Sequence, residues 1–465
     1  MPSVVNARGP RFYVPVNEQW ETAVRSDLRM TAACLLNLIH WKWICKRADD
    51  DGFVSLKTEY LRRLIGQREL PTVRQQLADA GVIDWDRTYQ EGVRCMGYRL
   101  CPEYRKVRSI WCDDRQLTRR IRRLHARDES LLLPVHRWLR ERLLLLDFDF
   151  DRARSIIDEI LPVEKKRKKP LTVTEYRELI AGQLIRLKDQ INEGNPGLTC
   201  DRFGRVHTAI TRLPKSLKCC LTVKGQPLQG IDLANSQPLF LGLVANQYFT
   251  DRHERARLRN WTPARRSGRN DRARRTGRNA ARREPPITMV EKSQVLCFQR
   301  GYENRLMTVS GQELSGDDWE PRSNGLDEYL HDCQAGSLYE KLKRPGEDLA
   351  RLKKALFTDV LYGRDNYPSQ LRDGFHRQYL AIGFMLTELK AGEYCRPSGL
   401  MQHKESKLFI GTICNRIKEE QPDIPLVTIH DSLLTTPAHV EYVEAVTRSE
   451  FARLGVSPTF HRESY

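Results

Sequence analysis

Two aspartates follow short apolar runs: Asp232 in I-D-L-A-N-S-Q-P-L-F from Ile231, and Asp431 in I-H-D-S from Ile429. Between them lies K-A-L-F-T-D-V-L-Y-G, Lys354 to Gly363, and ahead of all three stands Gly204-Arg205. Alone, Asp232 reads as a turn or helix-initiating residue. Together they read as a metal-dependent nucleotidyl-transfer centre. Two carboxylates can hold two Mg²⁺ ions about 3.5 to 4 Å apart, one lowering the pKa of an attacking 3′-hydroxyl and the other stabilising leaving pyrophosphate. Mg²⁺ prefers oxygen ligands and keeps waters or substrate phosphates in its shell, so no cysteine or histidine ligand is required.

The elements that must position these groups are short. L-Q-G-I-D-L-A reads as a strand delivering Asp232, with Ser236 as the N-cap of a helix that tolerates Pro238 in its first turn. P-L-V-T-I-H-D-S-L-L-T-T-P reads as a hairpin with His430-Asp431 at its tip and Val427 and Ile429 on the face of Asp431. Burying a His-Asp pair there gains little structurally, which favours a functional role. In R-L-K-K-A-L-F-T-D-V-L-Y-G, α-helical spacing puts Lys354, Thr358 and Leu361 on one face with Tyr362 at its edge. A lysine so placed neutralises triphosphate charge or protonates the leaving group, and the aromatic stacks on a base. By itself this segment is a basic surface helix.

The set resembles the palm and fingers of the family A DNA polymerase and single-subunit phage-type RNA polymerase superfamily over roughly residues 200 to 460. Lys354, seven residues, then Tyr362-Gly363 match the fingers helix. Asp232 matches the first palm aspartate and His430-Asp431 the palm hairpin. D-R-F-G-R-V-H from Asp201 resembles the Gly-Arg element, and Met401-Gln402 the glutamine helix before the hairpin. The resemblance implies Asp232 and Asp431, with Leu233, as ligands of two Mg²⁺ ions, for which Mn²⁺ could substitute. It implies Lys354 with Arg351, Thr358, Tyr362, Gln237 and Ser236 around the nucleoside triphosphate, and Arg205, Gln402, His430 and Gly363 toward a DNA or RNA primer-template. The fold it implies is α+β, a right-hand polymerase with thumb-like helices.

Three positions depart from the pattern. The fingers arginine four residues before the lysine is Ala350 here, with Arg351 beside it; Ser432 follows Asp431 where the DNA polymerases carry glutamate; and Gln237 stands where they carry the glutamate that excludes a 2′-hydroxyl. A bulky Gln237 leans the reading toward a DNA polymerase or primase-polymerase of a mobile element or phage. The spacing of Asp232 and Ser236 keeps a single-subunit RNA polymerase open. A non-enzymatic initiator or regulator and untemplated terminal addition are further alternatives.

The 465 residues allow two or three domains. Lysine and arginine number 78 against 60 aspartate and glutamate, and this surplus of +18 suits a polyanionic partner. Half of it lies in 251 to 284, with 13 arginines and four acidic residues, read as a disordered insertion. No apolar run nears the roughly 20 residues that span a bilayer, and no signal peptide is evident, so a cytoplasmic protein without a membrane partner is expected. The 12 scattered cysteines, lacking any C-x-x-C, point to no disulfide framework or zinc site. Residues 1–105 read as a winged-helix-like domain that over about residues 20 to 105 resembles the winged-helix domains of plasmid replication initiators, with helices at Lys57–Ile65 and Pro71–Ala80 before a two-stranded wing. The second of these helices offers Arg74 as its one basic side chain. Residues 106–200 read as a helical, thumb-like region beginning with a basic helix at 104–127 and containing a basic linker near 164–170; residues 201–465 carry the palm and fingers.

Overall fold

The structure is a computed structural model. It describes residues 9–45, 48–49, 51–86, 95–130, 132–160, 171–262 and 322–465. The fold is mixed α+β, in two compact units: residues 1–199 with 208–227, and residues 200–207 with 228–465.

In the first unit β1 (Arg11–Pro15) is followed by α1 (Gln19–Ala23) and α2 (Arg29–Ile44). Next come β2 (Val54–Ser55), α3 (Thr58–Leu64), α4 (Glu69–Asp79), β3 (Ile83–Asp86) and β4 (Gly97–Leu100). The strands form an antiparallel sheet in the order β2-β4-β3. Leu61, Leu64, Val73 and Leu77 bury one face of each short helix, which explains why helices this short are stable here. Helix α4 starts two residues earlier than the proline suggested. Pro71 occupies its first turn, where a missing N–H breaks no intrahelical bond.

A basic helix beginning at Tyr104 is not what forms. Val107–Trp111 is a strand, β5, paired antiparallel with β1, and the helix α5 occupies Arg115–Glu129. The partner strand lies almost a hundred positions earlier, so no local pattern announces it. Helices α6 (Pro134–Arg142), α7 (Phe150–Glu159) and α8 (Val173–Asn192) follow, and β6 (Asp147–Phe148) precedes α7. Helix α8 docks on α2 through Arg186, whose guanidinium lies 3.9 Å from the Tyr13 ring centroid and donates to Asn37 Oδ1 at 2.9 Å. These residues share one compact unit with the preceding ones, without a break at 105. The linker at 164–170 lies outside the described residues.

The second unit includes residues 200–207, which carry most of the pair β7 (Thr199–Cys200) and β8 (Val206–His207). The strands β9 (Leu221–Val223) and β10 (Gln226–Pro227) return to the first unit, where β9 pairs with both β10 and β6. The main sheet runs in the order β12-β13-β11-β14, with β11 at Gln229–Leu233, β12 at Val427–Ile429, β13 at Ser432–Thr435 and β14 at Phe460–Ser464. Every pairing is antiparallel. All residues of β12 and β13 are buried, whereas edge strand β14 carries exposed His461 and Arg462, the usual protection of a sheet edge.

Helix α9 (Ser236–Thr250) leads away from β11. Its Phe240 meets Phe409 and Phe451 at ring-centroid separations of 6.5 and 6.2 Å, a shared aromatic core that locks three elements together. The start of the Arg-rich stretch is ordered, contrary to expectation: Arg252–Arg259 is a helix, α10, capped by Asp251. Buried Leu258, with Arg255 over the Tyr248 ring at 5.1 Å and Arg259 paired to Glu388, anchors it. Residues 263–284 of that stretch lie outside the described residues.

Candidate functional site

The sheet register is the first determinant of the site. Asp232 on β11 pairs directly with Ser432 on β13, and Ser432 follows Asp431 in the chain. Paired Cα atoms in an antiparallel ladder are about 4.5 to 5.5 Å apart, so the backbones bearing the two aspartates are immediate neighbours. Each aspartate is half-buried. β12 and β13 form a hairpin in which Ile429 pairs with Ser432, leaving His430-Asp431 as a two-residue turn. His430 takes φ +57°, a conformation that costs a non-glycine side chain roughly 1 to 2 kcal/mol. It is exposed, and its ring lies 6.0 Å from that of His207 on β8.

Glu405, on α12 if the helix of Leu349–Ala355 is taken as α11 and that of Arg396–Ser406 as α12, joins these elements. Its side chain, 2% exposed, forms an ion pair with Arg205 Nη2 at 2.7 Å. It accepts from Ser236 Oγ at 3.3 Å and from the Gln237 amide. The Tyr362 hydroxyl donates to Gln237 Oε1 at 3.0 Å, so a continuous chain links Tyr362, Gln237, Glu405 and Arg205. Burial pushes the Glu405 carboxyl up to about 7; Arg205 pulls it down and the nearby charge of Asp431 adds to the rise. Burial also raises the Tyr362 hydroxyl, so it stays a neutral donor.

Ser236 is therefore not the N-cap. Asn235, at φ +55°, takes that position without a side-chain cap bond, and Ser236 begins the helix with its hydroxyl turned to Glu405. Arg205 is positioned by a tight turn. Asp201 Oδ1 accepts from the Phe203 and Arg205 amides at 2.8 and 3.0 Å, and Gly204 sits at φ +89°. A Cβ on Gly204 would lie 2.9 Å from Ser406 Oγ, so the turn can lie this close to α12 only with glycine there. Burial pushes the Asp201 carboxyl up, but His207 and the two amides outweigh it and hold the group below its ordinary range.

The segment before Tyr362 is not a plain α-helix. Helix α11 passes into a π-helical turn over Leu356–Leu361, with the Tyr362 amide bonded to the Phe357 carbonyl at 2.9 Å. One inserted residue makes eight positions span what seven would, close to two full α-turns, so Tyr362 comes nearly beneath Lys354. The same widening turns Leu361 inward: it is fully buried and not on the face of Lys354 and Thr358. Gly363 is obligatory, because a Cβ there would fall 1.9 Å from the Thr358 carbonyl oxygen.

The residues singled out in the sequence thus separate into two groups. Arg205, Ser236 and Gln237 bond to Glu405, Tyr362 joins them through Gln237, the charge of Asp431 reaches Glu405, and Asp232 neighbours Asp431 across the β11–β13 register. Lys354, Arg351 and Thr358 lie exposed on the helix leading to Tyr362; the Arg351 amide and the Thr358 hydroxyl bond to Asp348 and Asp359, and none of the three bonds to Asp232, Asp431 or Glu405 among the described residues. Gln402, half-buried, lies one turn before Glu405 on α12. The Leu233 side chain is buried, leaving its main-chain carbonyl as the group able to serve a metal.

Glu405 was missed by the sequence reading. In M-Q-H-K-E-S its signal is one carboxylate three residues after Gln402, indistinguishable there from a solvated Lys-Glu pair. Among the described residues no three His, Cys, Asp or Glu side chains form a metal cage. The pair Asp232 and Asp431 nevertheless offers hard oxygen donors, and the Asp431 carboxylate has no hydrogen-bond partner among the described residues, a donor set that suits Mg²⁺.

No helix among the described residues is long and apolar enough to cross a membrane. No protein-family model matches the chain, and no curated protein matches its sequence. Among solved structures, the POL domain of Pol1 from M. smegmatis, in complex with DNA primer-template and dNTP, aligns with 94% of this chain and 81% of its own length. The identity is 12% and the TM-score 0.26.

Proposed function

We propose that residues 201–465 form a palm-and-fingers centre that extends a nucleic-acid primer on a template from nucleoside triphosphates, with deoxynucleotides preferred. The observation that carries this reading is the β11–β13 register, which makes Asp232 and the residue after Asp431 direct partners. In it, Asp232, Asp431 and the Leu233 carbonyl would hold Mg²⁺, with Mn²⁺ as a substitute; the ions supply charge that activates a 3′-hydroxyl and stabilises pyrophosphate. Lys354, Arg351 and Thr358 meet the phosphates from the exposed side of α11 and the turn after it. Tyr362 faces the nascent pair, and Arg205, Gln402, His430 and Gly363 border the primer-template.

The sugar preference rests on Gln237. Its amide is held at both ends, by Tyr362 and by Glu405, so it cannot swing away to admit a 2′-hydroxyl without breaking two hydrogen bonds. The first unit, with its helix-strand-helix-helix-strand-strand order, acts in this reading as a winged-helix-like module that brings the enzyme to DNA.

The test is primer extension by the purified chain with Mg²⁺ and either dNTPs or NTPs, alongside Asp431→Asn. Extension by the parent chain with dNTPs, lost by a factor of about 10³ or more in the variant while duplex affinity is kept, is the expected result. Absence of extension with both triphosphate sets on several templates would sink the proposal.

A further inference from the structure

We infer that helix α5 is a binding face for the phosphate backbone of a nucleic-acid duplex, and that it, not α4, makes the principal nucleic-acid contact of the first unit. Arg115 to Arg127 contains six arginines and no acidic residue. Leu117, Thr118 and Ile121 are buried, while Arg115, Arg119, Arg122 and Arg123 are exposed on about 12 Å of helix. Several other exposed arginines of the unit pair with carboxylates: Arg25 with Asp27, Arg63 with Glu59, Arg99 with Asp84. None of the four α5 arginines has such a partner among the described residues, and Glu129, at the end of the helix, is taken by Arg140 at 2.7 Å.

Like charges at Arg115, Arg119 and Arg123 repel at i,i+4 spacing, so the helix stores a local penalty that an external polyanion would relieve. Arg120 Nη1 donates to the Ile65 carbonyl at 2.7 Å, fixing α5 against the end of α3, where Arg62 and Arg68 are also exposed. Helix α4 offers much less. Its Arg74 is turned onto the Trp85 ring at 4.0 Å and donates to Met96 Sδ at 3.2 Å, leaving little to read base edges.

Arginines without base-reading partners give sequence-independent, salt-sensitive binding. The described side chains of α5 include no aromatic ring on which unpaired bases could stack, which favours a duplex over a single strand.

The test uses the full chain and labelled duplex DNA, duplex RNA and single-stranded DNA, titrated by fluorescence anisotropy across about 50 to 200 mM salt. The variant carrying Arg115→Gln, Arg119→Gln, Arg122→Gln and Arg123→Gln is expected to bind duplex tenfold or more weakly. Its slope of log affinity against log salt should shrink by about 3 to 4, near 0.9 per lost phosphate contact. Arg74→Ala should leave that slope unchanged. Circular dichroism checks folding; if the fourfold variant does not fold, Arg119→Gln with Arg123→Gln should reduce the slope by about 2. Tighter binding of one duplex type identifies it as the partner. A folded variant with parental affinity and slope overturns the inference, as does a parent chain that prefers single strands to both duplexes.

Discussion

The Glu405 carboxyl lies buried between Arg205, Ser236 and Gln237, and through Gln237 it fixes the Tyr362 hydroxyl. With its carboxyl near 7 in the folded chain against an ordinary 4.5, folding takes up a proton between those values. The contribution of this group is therefore full below about pH 4.5 and is lost as pH rises through 7. Thermal unfolding at pH 5, 6 and 7 should show Glu405→Gln losing less stability with rising pH than the parent; parallel profiles would refute the assignment. Tyr362→Phe removes the donor to Gln237 and leaves the amide one partner short. Under the proposed function, discrimination against NTPs should fall several-fold, read from the ratio of kcat/KM for dNTP and NTP, with the fold unchanged. The residue types at Asp232, Asp431 and Tyr362 were legible because their chemistry is specific. Glu405 was not, because a carboxylate on a helix is ordinary until packing removes its water.

Two elements carry backbone requirements that substitutions can probe. At Gly363 any Cβ meets the Thr358 carbonyl, so Gly363→Ala must open the π-helical turn. A destabilisation of about 1 to 3 kcal/mol is expected in denaturant unfolding. At the hairpin tip His430 has φ +57°, which asparagine tolerates and a β-branched residue does not. His430→Asn should keep stability, whereas His430→Val should lose about 1 to 2 kcal/mol, measured the same way. The hairpin itself was legible, since V-T-I and S-L-L-T flank two polar residues. The π-turn was not: one extra residue per turn leaves no mark in composition, yet it moves Tyr362 under Lys354 and Leu361 into the core. Ser236 shows the same limit, being a good cap by type but drawn into the helix by a carboxylate 169 positions away.

At the scale of the molecule, the proposed chemistry and the proposed duplex contact belong to different compact units, so they should separate. Asp431→Asn is expected to keep the parental salt slope while losing extension, and the α5 variant to lose the slope; a joint loss in either variant would argue against independent sites. The sequence by itself determined the identity of the two aspartates, the apolar runs that make strands around them, the short helices of the first unit and the excess of positive charge, because periodicity and composition act within a few residues. Only the tertiary structure decided that Asp232 lies opposite Ser432, that β5 pairs with β1, and that Glu405 is buried beside Arg205 and Gln237. Those outcomes depend on strand register and on which distant surfaces exclude water together, and register and burial are properties of the whole packed chain.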